Sequence, residues 1–507
     1  MLSSSLLGKT YYIWLQSTAF ALLRSFYRAF SRAFKNSTIV HWFVRDSRIE
    51  PIYEASVFAR VFKAILDFFY CIIAKVSAVL KKAAVGSCTA AFYRRFLKSS
   101  FFFSFETLLG GFICLMFIIP HDYWANPYAL VASVGLFVLY FMLAGAGVRK
   151  RFYLHNMGLP FLLFAITCVF SIAFSLDRSD SIRIFMFYIT AFLLLFVISA
   201  DISNRQRLMR LLGFIYTAVI ISALYAVYQR FTGVNVSASL TDLTINRGVP
   251  GRVFGTLGNP NNYAEFLVMM TPLAAVFAAN VKKPLYRVGL CCGIALPMIA
   301  LLMTYSRSCW LSMLLTCVVF VYFANKKLIP AFFLICVAAI PFLPESVHIR
   351  IASLFNSEDS SNMFRVYVWT GTVQMAKDNF FTGIGLGPGS FGVLYPEYAH
   401  PLAIKGVPHS HMVYLELIIE LGIVGFLSFV WLQLRTIKDC ACSALKSSNK
   451  TTKFALIACL SSLIGISFTF FVEYVWYYPR TFFAFFILLA VASAAIRMTR
   501  AEAEQTL

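Results

Sequence analysis

The stretch PHSHMVYLELIIELGIVG, residues 408–425, sets two histidines and two glutamates at the mouth of a run otherwise apolar enough to cross a membrane. Ionisable groups in such a place are costly and are kept for function. A histidine titrates near neutrality and can take the proton of an attacking hydroxyl. His409, in the preceding loop, and His411 are both candidates for such a base. Tyr414, Glu416 and Glu420 are secondary candidates, since a packed helix can equally turn them against other spans. Three further stretches carry arginine. NRGVPGRVFGTLGNPNNYAEF, 246–266, holds Arg247 and Arg252; TYSRSCWLSML, 304–314, puts Arg307 at a helix mouth; FRVYVWTGTVQMAKDNFFTGIGLGPGSFG, 364–392, begins with Arg365. Guanidinium groups hold phosphate oxygens through paired, charge-assisted hydrogen bonds. Arg247, Arg252, Arg307 and Arg365 are therefore candidates to hold a diphosphate. No Asp-x-Asp pair and no His/Cys cluster at metal-ligand spacing accompanies them, so no metal and no cofactor is expected.

Each stretch also has a plain structural reading: a polar turn, a snorkelling arginine, a tightly turning or flexible glycine-rich loop. The glycine run lacks a following Gly-Lys-Ser/Thr, which excludes a phosphate-binding P-loop. What favours chemistry is that all four stretches fall on one side of a membrane. Apolar residues make up 60% of the 507-residue chain, aromatic ones 17% and charged ones 13%, far from a soluble composition. Runs long enough to span lie near 101–120, 126–147, 154–175, 182–200, 209–228, 262–280, 286–304, 308–324, 328–344, 411–434, 454–472 and 480–497. An all-α membrane protein of about twelve spans follows, with 308–324 and 328–344 the shortest. The net charge of +22 is spread in short clusters between the runs, which argues against nucleic acid. One set of loops collects 18 cations, and residues 1–100 add 15 on the same side; the opposite loops balance their cations with acids. The positive-inside rule then puts both termini in the cytoplasm. Loops 229–261 and 345–410, and the turns at 304–308 and 473–480, face outward. None of the twelve cysteines lies in the two long outer loops, and disulfides are not expected.

Residues 1–100 read as a basic, aromatic-rich cytoplasmic or interfacial extension of the polytopic domain 101–500. Arg24, Arg28 and Arg32 lie four apart, as do Phe26, Phe30 and Phe34. The two rows occupy opposite faces of a helix, as suits one lying on anionic lipid headgroups. The segment 57–82 is similar but more apolar, a thirteenth, re-entrant or interfacial element.

The pattern from 246 to 425 resembles the O-antigen ligase and O-antigen polymerase superfamily of bacterial inner-membrane proteins. In the ligases a histidine is followed by one polar residue, nine others and Gly-x-x-Gly; here His411, Met412, residues 413–421 and Gly422-Ile-Val-Gly425 fit that spacing, so the resemblance makes His411 the general base and His409 its neighbour. Arg307–Leu311 matches their Arg-x-x-x-Leu, and Arg252 stands like their arginine before a Gly-Asn-Pro-Asn turn, so the resemblance puts Arg252 and Arg307 first for the diphosphate, with Arg247 and Arg365 behind them. The resemblance implies a multi-pass enzyme of the bacterial cytoplasmic membrane. It would move a glycan from undecaprenyl diphosphate to a hydroxyl of a glycan or lipid-glycan acceptor, as a ligase or as a repeat-unit polymerase. The Gly422-x-x-Gly425 pair is expected to let another helix approach closely and so aim His411. A transporter of lipid-linked or anionic solutes is the rival reading. It would need charges near the bilayer midplane, for which Glu106, Glu416 and Glu420 are the candidates.

Overall fold

The computed structural model describes residues 55–84, 104–152, 158–234, 250–353, 360–404 and 406–506, with a few single positions before residue 40 and Ser87. The arginine and phenylalanine rows of 24–34, Arg32 apart, lie outside the described residues, as does Arg247. Residues 56–507 form one compact unit. Among the described residues it is all-helical, and nine helices are long and apolar enough to cross a membrane.

The first helix, α1 (Val57–Ala83), is packed with this unit: the Tyr70 hydroxyl accepts from Phe152 N–H at 3.1 Å, and Asp67 pairs with Arg151 at 2.8 Å. There follow α2 (Phe105–Ile118), α3 (Asn126–Gly145), α4 (Gly158–Ala173), α5 (Arg178–Asp201), α6 (Arg205–Thr232) and α7 (Pro260–Asn280). Next come α8 (Pro284–Met303), α9 (Arg307–Asn325) and α10 (Ile329–Ala339). The long final helices are α14 (Val413–Lys446), α15 (Lys450–Thr469) and α16 (Pro479–Thr506). After its first turn the α16 sequence FFAFFILLAVASAAI is apolar all round, and such a helix belongs inside. It is almost wholly enclosed, packed on α5, α7, α14 and α15. Around this centre α2 packs on α6, α4 on α14, and α9 on α15.

Between α9 and α10 the helix is interrupted. Asn325 adopts an extended backbone (φ −163°, ψ 97°) and its side chain caps a 3-10 turn at Lys326–Leu328. A helix cannot run straight through an extended residue, so the apolar stretch 307–342 bends at its lysine pair.

The segment between α10 and α14 is not an open loop. It forms α11 (Glu345–Ala352), α12 (Ser360–Asp378) and α13 (Pro388–Leu394), with a small core of its own. Val368 and Met375 of α12, Phe391 of α13 and Tyr395 pack on Leu415 and Ile419 of α14. The other face of α12 leaves Met363, Val366 and Val373 exposed. The glycine-rich run inside this segment is a tight turn rather than a flexible loop. Gly383, Gly385 and Gly387 all have positive φ, and the run is tied to α5 by Ser181 donating to Leu386 C=O at 2.7 Å and Gly389 N–H donating to Asp180 at 2.8 Å.

Glu106, a candidate midplane charge, is not left unpaired. It sits in the first turn of α2 and forms ion pairs with Arg149 at 2.8 Å and Arg207 at 2.9 Å, a cluster completed by Asp201.

Candidate functional site

His411 stands one residue before the cap of α14, in a left-handed backbone conformation with φ +54°. Such a φ is strained for a residue with a Cβ and persists only where the surroundings impose it. Here they do. Glu416, buried one turn into α14, accepts Ser410 N–H at 2.7 Å. His409 Nδ1 accepts His411 N–H at 3.1 Å, and Val413 N–H reaches Phe470 C=O at 2.9 Å. Among the described residues only one other non-glycine is left-handed, Tyr305 (φ +52°) at the mouth that carries Arg307. Both outliers belong to segments singled out for chemistry.

The centre of the cluster is a residue that sequence reasoning missed, Glu473, in the turn between α15 and α16. Its carboxylate forms an ion pair with Arg365 and accepts Asn261 Nδ2–H at 3.1 Å. Its second oxygen lies 3.9 Å from His411 Nδ1. Asn261 in turn accepts from the Arg252 guanidinium, whose Nε donates to Thr304 C=O at 2.7 Å. Burial pushes the Glu473 carboxyl up, but Arg365 and His411 outweigh burial and hold it down at about 2. The carboxylate is charged at any working pH.

Arg252 is buried, and burial lowers it to about 10; Glu473 supports its charge while Arg365 and Arg307 oppose it. Arg365 and Arg252 thus act on one carboxylate, and Arg307 is near enough to act on Arg252. Arg307 donates to Ser353 C=O at 2.9 Å and to Asn362 at 3.2 Å, bridging α9 to the ends of α11 and α12. Arg350, also unmarked in the sequence reading, is buried beside it and donates to Tyr305 C=O at 3.1 Å. Neither Glu473 nor Arg350 carried a motif. The one available signal was that a lone acid and a lone arginine stood in outward turns.

His409 is buried, its ring against Tyr474 and Tyr477 at 5.3 and 4.7 Å and against His411 at 4.3 Å. Burial, helped by His411, pushes it down to about 3, so it stays neutral and orients His411 through its ring nitrogen. It is not a solvated residue. Glu420 accepts Gly387 N–H at 2.8 Å and the Tyr474 hydroxyl at 3.0 Å. Like Glu416, it is taken up by loop backbone. Tyr414 donates to Gln433 at 3.1 Å inside the bundle, and Met412 packs on the α12 core.

The role expected of Gly422 needs correcting. It is a break in α14 (φ +70°, ψ −178°), and a Cβ there would overlap Phe381 C=O. The chain that comes close is the 380–385 loop, with Ile423 N–H donating to Phe380 C=O at 2.8 Å and Ile384 N–H to Ile419 C=O at 2.7 Å. Only Gly425 meets a neighbouring helix as expected, with Thr167 of α4 in contact.

The O-antigen ligase family model matches residues 292–430. This stretch belongs to the O-antigen ligase superfamily. It runs from within α8 to the middle of α14, so it contains Arg307, Arg350, Arg365, His409 and His411. Arg252 and Glu473 lie beyond it on either side. Among curated proteins none matches the chain. A multi-pass membrane protein with an O-antigen ligase stretch supports a role in glycan ligation or polymerisation.

Proposed function

We propose that this O-antigen ligase-type protein is a metal-independent glycosyltransferase of the bacterial cytoplasmic membrane. It takes a glycan from undecaprenyl diphosphate and joins it to an acceptor hydroxyl at the outer face. The observation that carries this reading is the convergence of Arg365 directly, and Arg252 through Asn261, on Glu473, with His411 held in a strained conformation against the same carboxylate. His411 Nδ1 faces Glu473, which leaves Nε2 to take the acceptor proton. The acceptor oxygen bonds to the anomeric carbon as the bond from that carbon to the diphosphate oxygen breaks. The departing diphosphate carries the developing charge, and the arginines stabilise it. Arg252 and Arg307 are its primary ligands, and Arg365, shared with Glu473, is the third.

Twelve crossings with both termini in the cytoplasm fit this role. The short apolar helices α2 and α4, and the division of 307–342 at Asn325, bring the nine long candidates to that number. Transport draws less support, because Glu106, Glu416 and Glu420 are all held by arginines or loop backbone.

The test is transfer by the purified protein in nanodiscs, in EDTA, from an undecaprenyl-diphosphate oligosaccharide to either lipid A core or free glycan. A single addition marks a ligase, and a ladder marks a polymerase. Failure with every acceptor, or transfer that survives Arg→Ala at both 252 and 307, refutes the proposal.

A further inference from the structure

Helix α1 takes no part in the transfer chemistry, and its surface divides into three faces. The first packs on the protein. Tyr70 is buried, its ring stacked 4.6 Å from that of Phe141, and Ile73 lies so close to Gly145 that a Cβ there would overlap it. The second face is apolar and open. Val61, Ile65, Phe68, Ile72, Val76 and Val79 recur every three or four residues, which on a helix puts them on the side away from Tyr70. Each of the six is between 43% and 66% exposed. The third face is a flank of cations between these two, made of Arg60, Lys63, Lys75, Lys81 and Lys82, all exposed. The one acid of the helix, Asp67, is taken by Arg151 at 2.8 Å.

These faces count against a span and against a re-entrant element. A span would hold Asp67 and Lys75 in hydrocarbon, and the longest uncharged run, 68–74, has seven residues where a crossing needs roughly 20. A re-entrant element turns back, whereas α1 is one unbroken helix of 27 residues. The level of α1 is set by α3, which it meets near the end of that span. Tyr70 is at Phe141, Ile73 at Gly145, and Lys81 Nζ donates to Ala146 C=O at 3.3 Å. Along its length α3 exposes Val131, Val134 and Val138, the surface that a spanning helix turns to lipid. The apolar stripe of α1 therefore lies where acyl chains give way to headgroups. Five cations beside it, against one acid already paired, complement a negatively charged leaflet. We propose that α1 lies in the membrane plane and docks on anionic lipid, its stripe among the acyl chains and its cations at the headgroups. In the topology proposed above this is the cytoplasmic leaflet, and the inference stands apart from the transfer reaction.

Nitroxide labels on Phe68→Cys, Ile72→Cys and Val79→Cys, and on Arg60→Cys and Lys82→Cys, test this in the full chain, one at a time, in a background without exposed native cysteines. The protein is held in nanodiscs containing phosphatidylglycerol. Power saturation is expected to find 68, 72 and 79 at one depth, reached by oxygen and shielded from a nickel chelate, with 60 and 82 showing the reverse. A depth that changes steadily from 60 to 82 marks a crossing helix and overturns the proposal. Shielding of the stripe from both oxygen and nickel marks cover by protein, whether a second copy or another segment of this chain, and overturns it as well. The charge is read separately by amide exchange. Lys75→Gln is expected to speed exchange in α1 about 5-fold in phosphatidylglycerol discs and to leave it unchanged in phosphatidylcholine discs. Equal exchange of wild type and variant in both lipids overturns the choice of an anionic surface.

Discussion

Replacing Glu473 by glutamine removes the one carboxylate that the arginines and His411 share, while keeping its shape. The wild-type carboxyl is held at about 2 against an ordinary 4.5, a preference for the charged form of about 3 kcal/mol. Removing one partner from a buried ion pair commonly costs about 3–5 kcal/mol, so the two routes to the magnitude agree. The sign follows from linkage. A carboxyl lowered on folding adds stability that is fully present above its unfolded value, and that stability is lost as pH falls through the folded value. Glu473→Gln is therefore expected to be less stable than wild type by about 3 kcal/mol at pH 7. The gap should persist to about pH 4.5 and close as pH approaches 2. Denaturant unfolding in detergent micelles, followed by tryptophan fluorescence at pH 7, 5, 4 and 3, measures it. The double variant with Arg365→Met should recover part of the loss, because no guanidinium is then left facing a neutral amide. Equal stability of Glu473→Gln and wild type at pH 7, or a gap that does not narrow in acid, would refute the assignment of Glu473 as the electrostatic centre.

His411→Gln is expected to lower the transfer rate by about 10²- to 10⁴-fold while donor binding, measured by filter retention, persists; near-normal turnover would exclude a base at this position. Gly422→Ala should destabilise the protein by at least about 3 kcal/mol, because alanine resists this backbone region and its Cβ would overlap Phe381 C=O. Thermal unfolding reads that change directly. Arg307→Ala should release the segment that Arg307 ties to Ser353 and Asn362, seen as faster hydrogen exchange across 350–365 and unchanged exchange in α16. A cysteine at Val393, which is exposed, should react with an impermeant reagent from outside the cell only, in a background without exposed native cysteines. Gly385 cannot serve as this reporter, being buried with φ +98°.

The amino-acid sequence determined the class of this protein because partition into a membrane depends on local composition. Runs such as FFAFFILLAVASAAI are apolar whatever surrounds them, and lysine and arginine mark the loops they flank. His411 and Arg307 were legible for a related reason, since each belongs to a motif of fixed local spacing. Tertiary structure alone decided how those residues are held. Glu473 lies 108 residues from Arg365 and 212 from Asn261, and no periodicity within one segment can report a charge balance among three. The left-handed turn at His411 is likewise set by Glu416 and His409 closing on its backbone, a strain that sequence does not register. Gly422 was read as a surface for a neighbouring helix, but the approach of the 380–385 loop turned it into a break. Side-chain pattern reports which face is small, whereas the conformation a glycine must adopt depends on what packs against it.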